Sequence, residues 1–239
     1  MTETTTALVT GANKGLGQET VRRLAGLGWR VFLGSRNAAR GAAAAAELVR
    51  IGLDVEFVQL DVTSDASIAA AVEVIQQRSP RLDVLVNNAG IGGTRKLPHE
   101  VSAADLRAVF ETNVFGPVQV TNAFLPLLRD AAQPRIVMVS SGIGSLARTS
   151  DPGRLESTLL GLPYPASKTA LNMITSQYSR ALPGMKVNAA DPGYTATDLN
   201  GHAGVQTVTE GTDAIVRLAT LGPDGPTGGF FDRTGPVAW

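Results

Sequence analysis

Apolar positions along this 239-residue chain alternate between two kinds of segment. Short β-branched and aliphatic runs predict strands near Ala7–Thr10, Arg30–Ser35, Val55–Leu60, Leu82–Asn87, Arg135–Ser140, Lys186–Asp191 and Gly229–Asp232. The alanine- and leucine-rich stretches between them predict helices near Leu16–Leu27, Ala38–Ile51, Ala66–Gln77, Ala103–Arg129, Pro165–Ala181 and Val208–Thr220. Ser102-Ala-Ala-Asp105 and Thr207-Val-Thr-Glu210 have the spacing at which a hydroxyl and a carboxylate satisfy the free amides of a helix start. Pro117 and Pro126 are expected to kink the long central helix.

Val84-Leu85-Val86 and Ile136-Val137-Met138-Val139 are apolar on successive residues, so both faces of the sheet must be covered. The expected fold is therefore a Rossmann-type, doubly wound α/β sheet of about seven parallel strands flanked by helices on both faces. No linker, repeat or charge run divides the chain, and its length suits one domain over residues 1–239. The alanine run 42–46 favours helix and is not low complexity.

Charge narrows the possible partners. Twenty-one basic residues balance twenty-one acidic ones, which argues against nucleic acid or an anionic membrane and for a small-molecule substrate. With no cysteine and two isolated histidines, no metal site is expected. Neither a leader pattern nor a membrane-length apolar run is present, so a cytoplasmic location is expected.

Candidate chemistry begins after the first strand, at Thr10-Gly11-Ala12-Asn13-Lys14-Gly15-Leu16-Gly17. Missing Cβ atoms and free amides at a helix N-terminus suit a pyrophosphate. The spacing is G-x-x-x-G-x-G, which differs from the general dinucleotide fingerprint G-x-G-x-x-G. After the second strand, Gly34-Ser35-Arg36-Asn37 contains no carboxylate for the adenosine ribose. Arg36 can instead pair with a 2′-phosphate, favouring NADP(H) over NAD(H), and Lys14 offers a second positive contact. As alternatives, both cations are solvated surface charges. Asp61, next to Val62, either meets the adenine amino group or caps a helix.

Tyr164 and Lys168 in Tyr-Pro-Ala-Ser-Lys lie one helical turn apart and share a face. A phenol normally titrates near 10, and a neighbouring cation stabilises its phenolate. Asn87-Asn88-Ala89-Gly90, Ser140-Ser141 and Pro192-Gly193 fall at strand C-termini, where an open α/β sheet builds its crevice, with Asn113 on a helix beside it.

Taken in chain order, TGANKGLG, NNAG, Asn113, Ser141, YPASK and DPGYTATD resemble the short-chain dehydrogenase/reductase family over nearly the whole chain, with a carbonyl-reductase-like glycine loop. The resemblance implies Tyr164 as general acid, Ser141 as hydrogen-bond donor to a substrate carbonyl, and Lys168 as ribose ligand that lowers the tyrosine pKa. Asn113 would hold a water that relays protons to Lys168. Gly11, Asn13, Lys14, Gly15, Leu16 and Gly17 would face the pyrophosphate, with Arg36, Asp61 and Val62 toward the adenosine. Asn87, Ala89 and Gly90 would line the cofactor, and Pro192, Gly193, Thr195 and Thr197 would meet its nicotinamide end beside Tyr164 and Lys168. Two bland roles stay open: Asn113 bonding backbone, and Thr197 capping a following helix.

Tyr164 follows Ser141 by 23 residues, a longer interval than is common in this family, and the segment carries Leu155, Leu159, Leu160 and Leu162. It either walls an apolar pocket or forms a surface excursion or subunit contact. Because the monomeric relatives carry a larger insertion, a homodimer or homotetramer is expected. By position, Tyr194–Gly204 matches the family's substrate lid, where His202 either touches substrate or faces solvent. The tail to Trp239 joins the pocket or an interface. The expected function is an NADP(H)-dependent oxidoreductase interconverting a carbonyl and an alcohol. An NADP(H)-sensing regulatory protein without turnover, and an epimerase or dehydratase that recycles its cofactor, are the alternatives.

Overall fold

The computed structural model describes residues 4–239; the first three residues, included in the expected single domain and in the search for a leader, lie outside the described residues. The chain runs through β1 (Thr6–Val9), α1 (Gly15–Ala25), β2 (Arg30–Ser35), α2 (Ala38–Arg50), β3 (Val55–Gln59), α3 (Asp65–Arg78) and β4 (Val84–Asn87). It continues with α4 (Ala103–Phe110), α5 (Gly116–Arg129), β5 (Arg135–Val139), α6 (Leu146–Thr149), α7 (Pro163–Ala181) and β6 (Lys186–Ala190). Two short helices, α8 (Val208–Gly211) and α9 (Asp213–Ala219), lead to the strands β7 (Phe230–Asp232) and β8 (Gly235–Val237).

Strand residues feed opposite faces in turn. Leu8, Phe32 and Leu85 pack against Ile68 and Ile75 of α3, Phe124 of α5 and Leu171 of α7. Their neighbours Val9, Leu33 and Val86 pack against Val21 and Leu24 of α1, Leu48 of α2 and Ile215 of α9. One sheet of order β3-β2-β1-β4-β5-β6-β7-β8 results, its first seven strands parallel and β8 antiparallel to β7. Strand order reverses about β1 and β4, which are paired neighbours, and this opens a crevice beyond their C-termini. No described helix is long and apolar enough to cross a membrane.

Three departures from the sequence pattern have local causes. β8 is an extra edge strand of three residues, reached by a tight turn in which Asp232 Oδ1 accepts from the amides of Thr234 (2.8 Å) and Gly235 (3.1 Å). The expected helix Val208–Thr220 divides at Thr212, whose amide is shared between the carbonyls of Val208 and Thr209. The expected helix Ala103–Arg129 is interrupted by a π turn, Glu111–Phe115, after which Pro117 occupies the first turn of α5 and Pro126 lies inside it. Both hydroxyl-carboxylate caps form, Ser102 with Asp105 and Thr207 with Glu210.

Candidate active site

A cleft of about 710 Å³ occupies the crevice. Its floor at one end is the glycine loop. Gly11 has φ +62°, and a Cβ there would stand 2.8 Å from Ala89 Cα, so the two loops meet only because Gly11 has no side chain. At the start of α1, Lys14 occupies the capping position without a side-chain bond to the free amides, and the first turn contains no acid. Those amides suit an anion. Asn13, Lys14, Gly15, Leu16 and Gly17 line the cleft, as do Arg36, Asp61 and Val62 further along. Arg36 is exposed at the rim. Lys14 pairs with Asp198 at 2.5 Å, joining the glycine loop to the segment after β6. Asp61 Oδ1 accepts from the Thr63 amide (3.0 Å) and hydroxyl (2.8 Å), while Ser64 is the residue that caps α3.

Tyr164 and Lys168 enter the cleft from the first turns of α7, with Lys168 Nζ 5.5 Å from the phenol ring centroid. Lys168 is 3% exposed, and its Nζ donates to the Val139 carbonyl at 2.7 Å. Burial lowers its ammonium to about 8. The same burial pushes the Tyr164 phenol up to about 12, a hydrogen bond with Ser141 pulls it partway back, and the charge of Asp191 adds to the rise. The phenol thus shifts upward, opposite to the lowering expected from Lys168, because loss of water around it dominates.

The two serines divide their tasks. Ser140 is buried, and its hydroxyl donates to Asn172 Oδ1 at 2.5 Å. Ser141 is the serine whose hydroxyl meets Tyr164. Asn113 is fully buried in the π turn; its Nδ2 donates to the Ile91 carbonyl (2.9 Å) and Ser167 Oγ (3.0 Å), while its Oδ1 accepts from the Ile91 amide (2.9 Å). A π turn places its side chains out of α-helical phase. Here it turns the carboxamide onto backbone, the bland role the sequence left open, and away from the cleft lining.

Residues 5–207 match the model of the short chain dehydrogenase family. The chain belongs to this family. It is 34% identical to (-)-isopiperitenone reductase of Mentha piperita, with 97% of each chain covered, and 34% identical to (+)-neomenthol dehydrogenase of Arabidopsis thaliana, with 95% of each covered. Among solved structures, NADPH-bound carbonyl reductase from chicken fatty liver aligns with a TM-score of 0.88 at 31% identity, covering 99% of this chain and 100% of that one.

Within this short-chain dehydrogenase the cleft gathers most of the expected residues, including Ala89, Gly90, Pro192 and Thr197. Asn87, Ser141, Gly193 and Thr195 do not line it, although Ser140 does. Asn87 points into the layer, donating to Thr121 Oγ1 at 3.0 Å, and Asn88 takes the cleft side, tied to the carbonyls of Thr10 (2.9 Å) and Gly11 (3.1 Å). Adjacent residues at a strand end face opposite ways, so this distinction depends on register. The Gly193 amide donates to Asp191 and the Thr195 hydroxyl to the Pro192 carbonyl. Thr197 both lines the cleft and caps a short helical turn at Asp198–Asn200.

Ile91, Thr112, Asp198, Leu199 and Val208 line the cleft as well, without a motif to announce them. His202 lines it too, bonding Asp198 at 2.8 Å from a left-handed backbone, φ +62°. None of the four inserted leucines lines the cleft; Leu155, Leu159 and Leu160 are exposed. The insertion is a surface excursion. The tail packs back on the fold: Trp239 stacks on Phe230 at 5.5 Å, and the Ala238 carbonyl accepts from Ser145 Oγ at 2.7 Å.

Proposed function

We propose that this chain acts as one nucleotide-binding domain that reduces a ketone or aldehyde to an alcohol with NADPH, Tyr164 donating the proton. The observation that carries this function is that Tyr164, hydrogen-bonded to Ser141, and Lys168 line one end of a cleft whose other end presents uncapped helix amides.

Those amides and the glycine loop fit a pyrophosphate, and Arg36 at the rim fits a 2′-phosphate, with Lys14, paired to Asp198 in the free protein, as a second cation at the same cleft. When bound, NADPH supplies the hydride. Ser141 donates a hydrogen bond to the carbonyl oxygen, and Tyr164 transfers its proton as negative charge grows there. A phenol held near 12 stays protonated at neutral pH, as a proton donor must. Lys168, still mostly an ammonium below about 8, faces the phenolate left behind. Asn113 steadies Ile91 and the start of α7 through Ser167.

Ile91, Leu199 and Val208 make part of the lining apolar and favour a hydrocarbon framework around the carbonyl. The relatives named (-)-isopiperitenone reductase and (+)-neomenthol dehydrogenase, and the NADPH-bound carbonyl reductase, support an oxidoreductase of small molecules. A homodimer or homotetramer belongs to the same reading, with exposed Phe115 and Met173 as apolar surface that a subunit contact would cover. The test is NADPH consumption, followed by absorbance, against a panel of alicyclic ketones, aldehydes and quinones, with NADH as control. Turnover favouring NADPH is expected; tight NADPH binding with no consumption across the panel would instead favour a sensor.

A further inference from the structure

Asp191 is a buried carboxylate for which the proposed chemistry has no direct use. It is 3% exposed just beyond β6, between the two segments that frame the reacting centre. Its Oδ1 accepts from the Gly193 amide at 2.9 Å, in the turn after Pro192. The Gly142 amide, next to Ser141, faces the same carboxylate. A Cβ at Gly142 would stand 2.8 Å from Asp191 Oδ2, so the catalytic loop approaches this closely only with glycine there.

Arg148 holds the carboxylate from behind. Its Nη1 donates to Asp191 Oδ2 at 2.7 Å and Glu156 Oε1 at 3.2 Å, and its Nη2 donates to Asp232 Oδ2 at 2.5 Å. A planar guanidinium fork makes such contacts simultaneously, which an ammonium cannot do with the same geometry. Glu156 belongs to the segment inserted between Ser141 and Tyr164, so the insertion is fastened to the same point. Three carboxylates share this one guanidinium, and among the described residues only Arg154, 3.5 Å from Glu156 Oε2, adds a further ion pair to the group. The cluster therefore keeps a negative charge near the phenol.

We propose that Asp191 and Arg148 are positioning residues for the reaction: one carboxylate fastens the Ser141–Gly142 loop to the Pro192–Gly193 turn, and Arg148 fixes that carboxylate and ties the insertion to it. The proposal rests on the assignment of Ser141 and Tyr164 as the groups that meet the carbonyl. Loosening the fastening lets Ser141 drift relative to Tyr164, which lowers the rate of the chemical step more than it weakens substrate binding.

The experiment compares wild type with Asp191→Asn and Arg148→Lys. An amide offers one acceptor oxygen where the carboxylate offers two, so Asp191→Asn cannot satisfy both glycine amides and Arg148. In Asp191→Asn, kcat should fall about 10- to 100-fold while KM for the carbonyl stays within about twofold. Because Asp191 also raises the phenol, the rise of alcohol oxidation with pH should move to lower pH, which loss of packing alone would not produce. A folded Asp191→Asn with the wild-type kcat and pH profile overturns the proposal. Should that variant not fold, Arg148→Lys retains the buried cation and decides: a fall in kcat at constant KM supports the fastening, and wild-type kcat overturns it. Amide hydrogen exchange at Gly142 and Gly193 needs no turnover. Faster exchange at either in the variants supports the fastening even if no carbonyl is consumed and the functional assignment fails; unchanged exchange at both overturns it.

Discussion

Lys168 Nζ lies 5.5 Å from the centroid of the Tyr164 ring while donating to the Val139 carbonyl at 2.7 Å. Lys168 is buried and Tyr164 half-buried beside it, and loss of water moves them in opposite directions, the phenol up to about 12 and the ammonium down to about 8. In the free protein at neutral pH the pair is therefore a protonated acid facing a cation.

That pairing sets the pH dependence of reduction. Lys168 carries its charge below about 8 and loses it above, whereas Tyr164 keeps its proton over the whole working range. The profile of kcat/KM, which reports groups of the free enzyme, should be flat near neutrality and decline as pH rises through about 8. A profile still flat at pH about 10, the ordinary lysine range, would show that burial does not depress Lys168.

Arg36 should carry much of the cofactor choice. Removing it in Arg36→Ala is expected to lower kcat/KM with NADPH about tenfold, the lower end for a hydrogen bond to a charged group because the side chain is exposed. The value with NADH should change by less than about twofold. Parallel kinetics with both cofactors check this, and equal losses would place Arg36 outside the 2′-phosphate contact.

Asn113→Ala removes three hydrogen bonds of a fully buried side chain and leaves the amide and carbonyl of Ile91 without their side-chain partner. A loss of about 2 to 4 kcal/mol in stability is expected, read by denaturant titration. A variant as stable as wild type would mean that Ile91 finds other partners.

Much of this arrangement was legible in the chain itself. Arg30–Ser35 forms the strand its pattern predicts, and the glycine loop, Tyr164 and Lys168 meet at one cleft because strand C-termini in a parallel sheet gather at one edge. What was hidden depended on register or on tertiary contact. Asn87 and Asn88 are indistinguishable by composition, and only strand phase sends the second toward the cleft. The π turn around Asn113 contains no glycine or proline to mark it, and β8, with Gly235 and Pro236 among its three residues, carries little strand signal. The leucines of the insertion left a pocket wall and a surface excursion equally open; Glu156 anchors that segment by its charge to Arg148 while Leu155, Leu159 and Leu160 are exposed.

Wild type and Tyr164→Phe, assayed side by side for NADPH consumption with a ketone accepted by the wild type, test the central claim most directly. Phenylalanine keeps the ring and removes the proton. A fall in kcat of about 100- to 10,000-fold is expected, with NADPH affinity by fluorescence within about twofold of wild type. Equal rates in the two proteins would contradict Tyr164 as the acid that protonates the carbonyl oxygen.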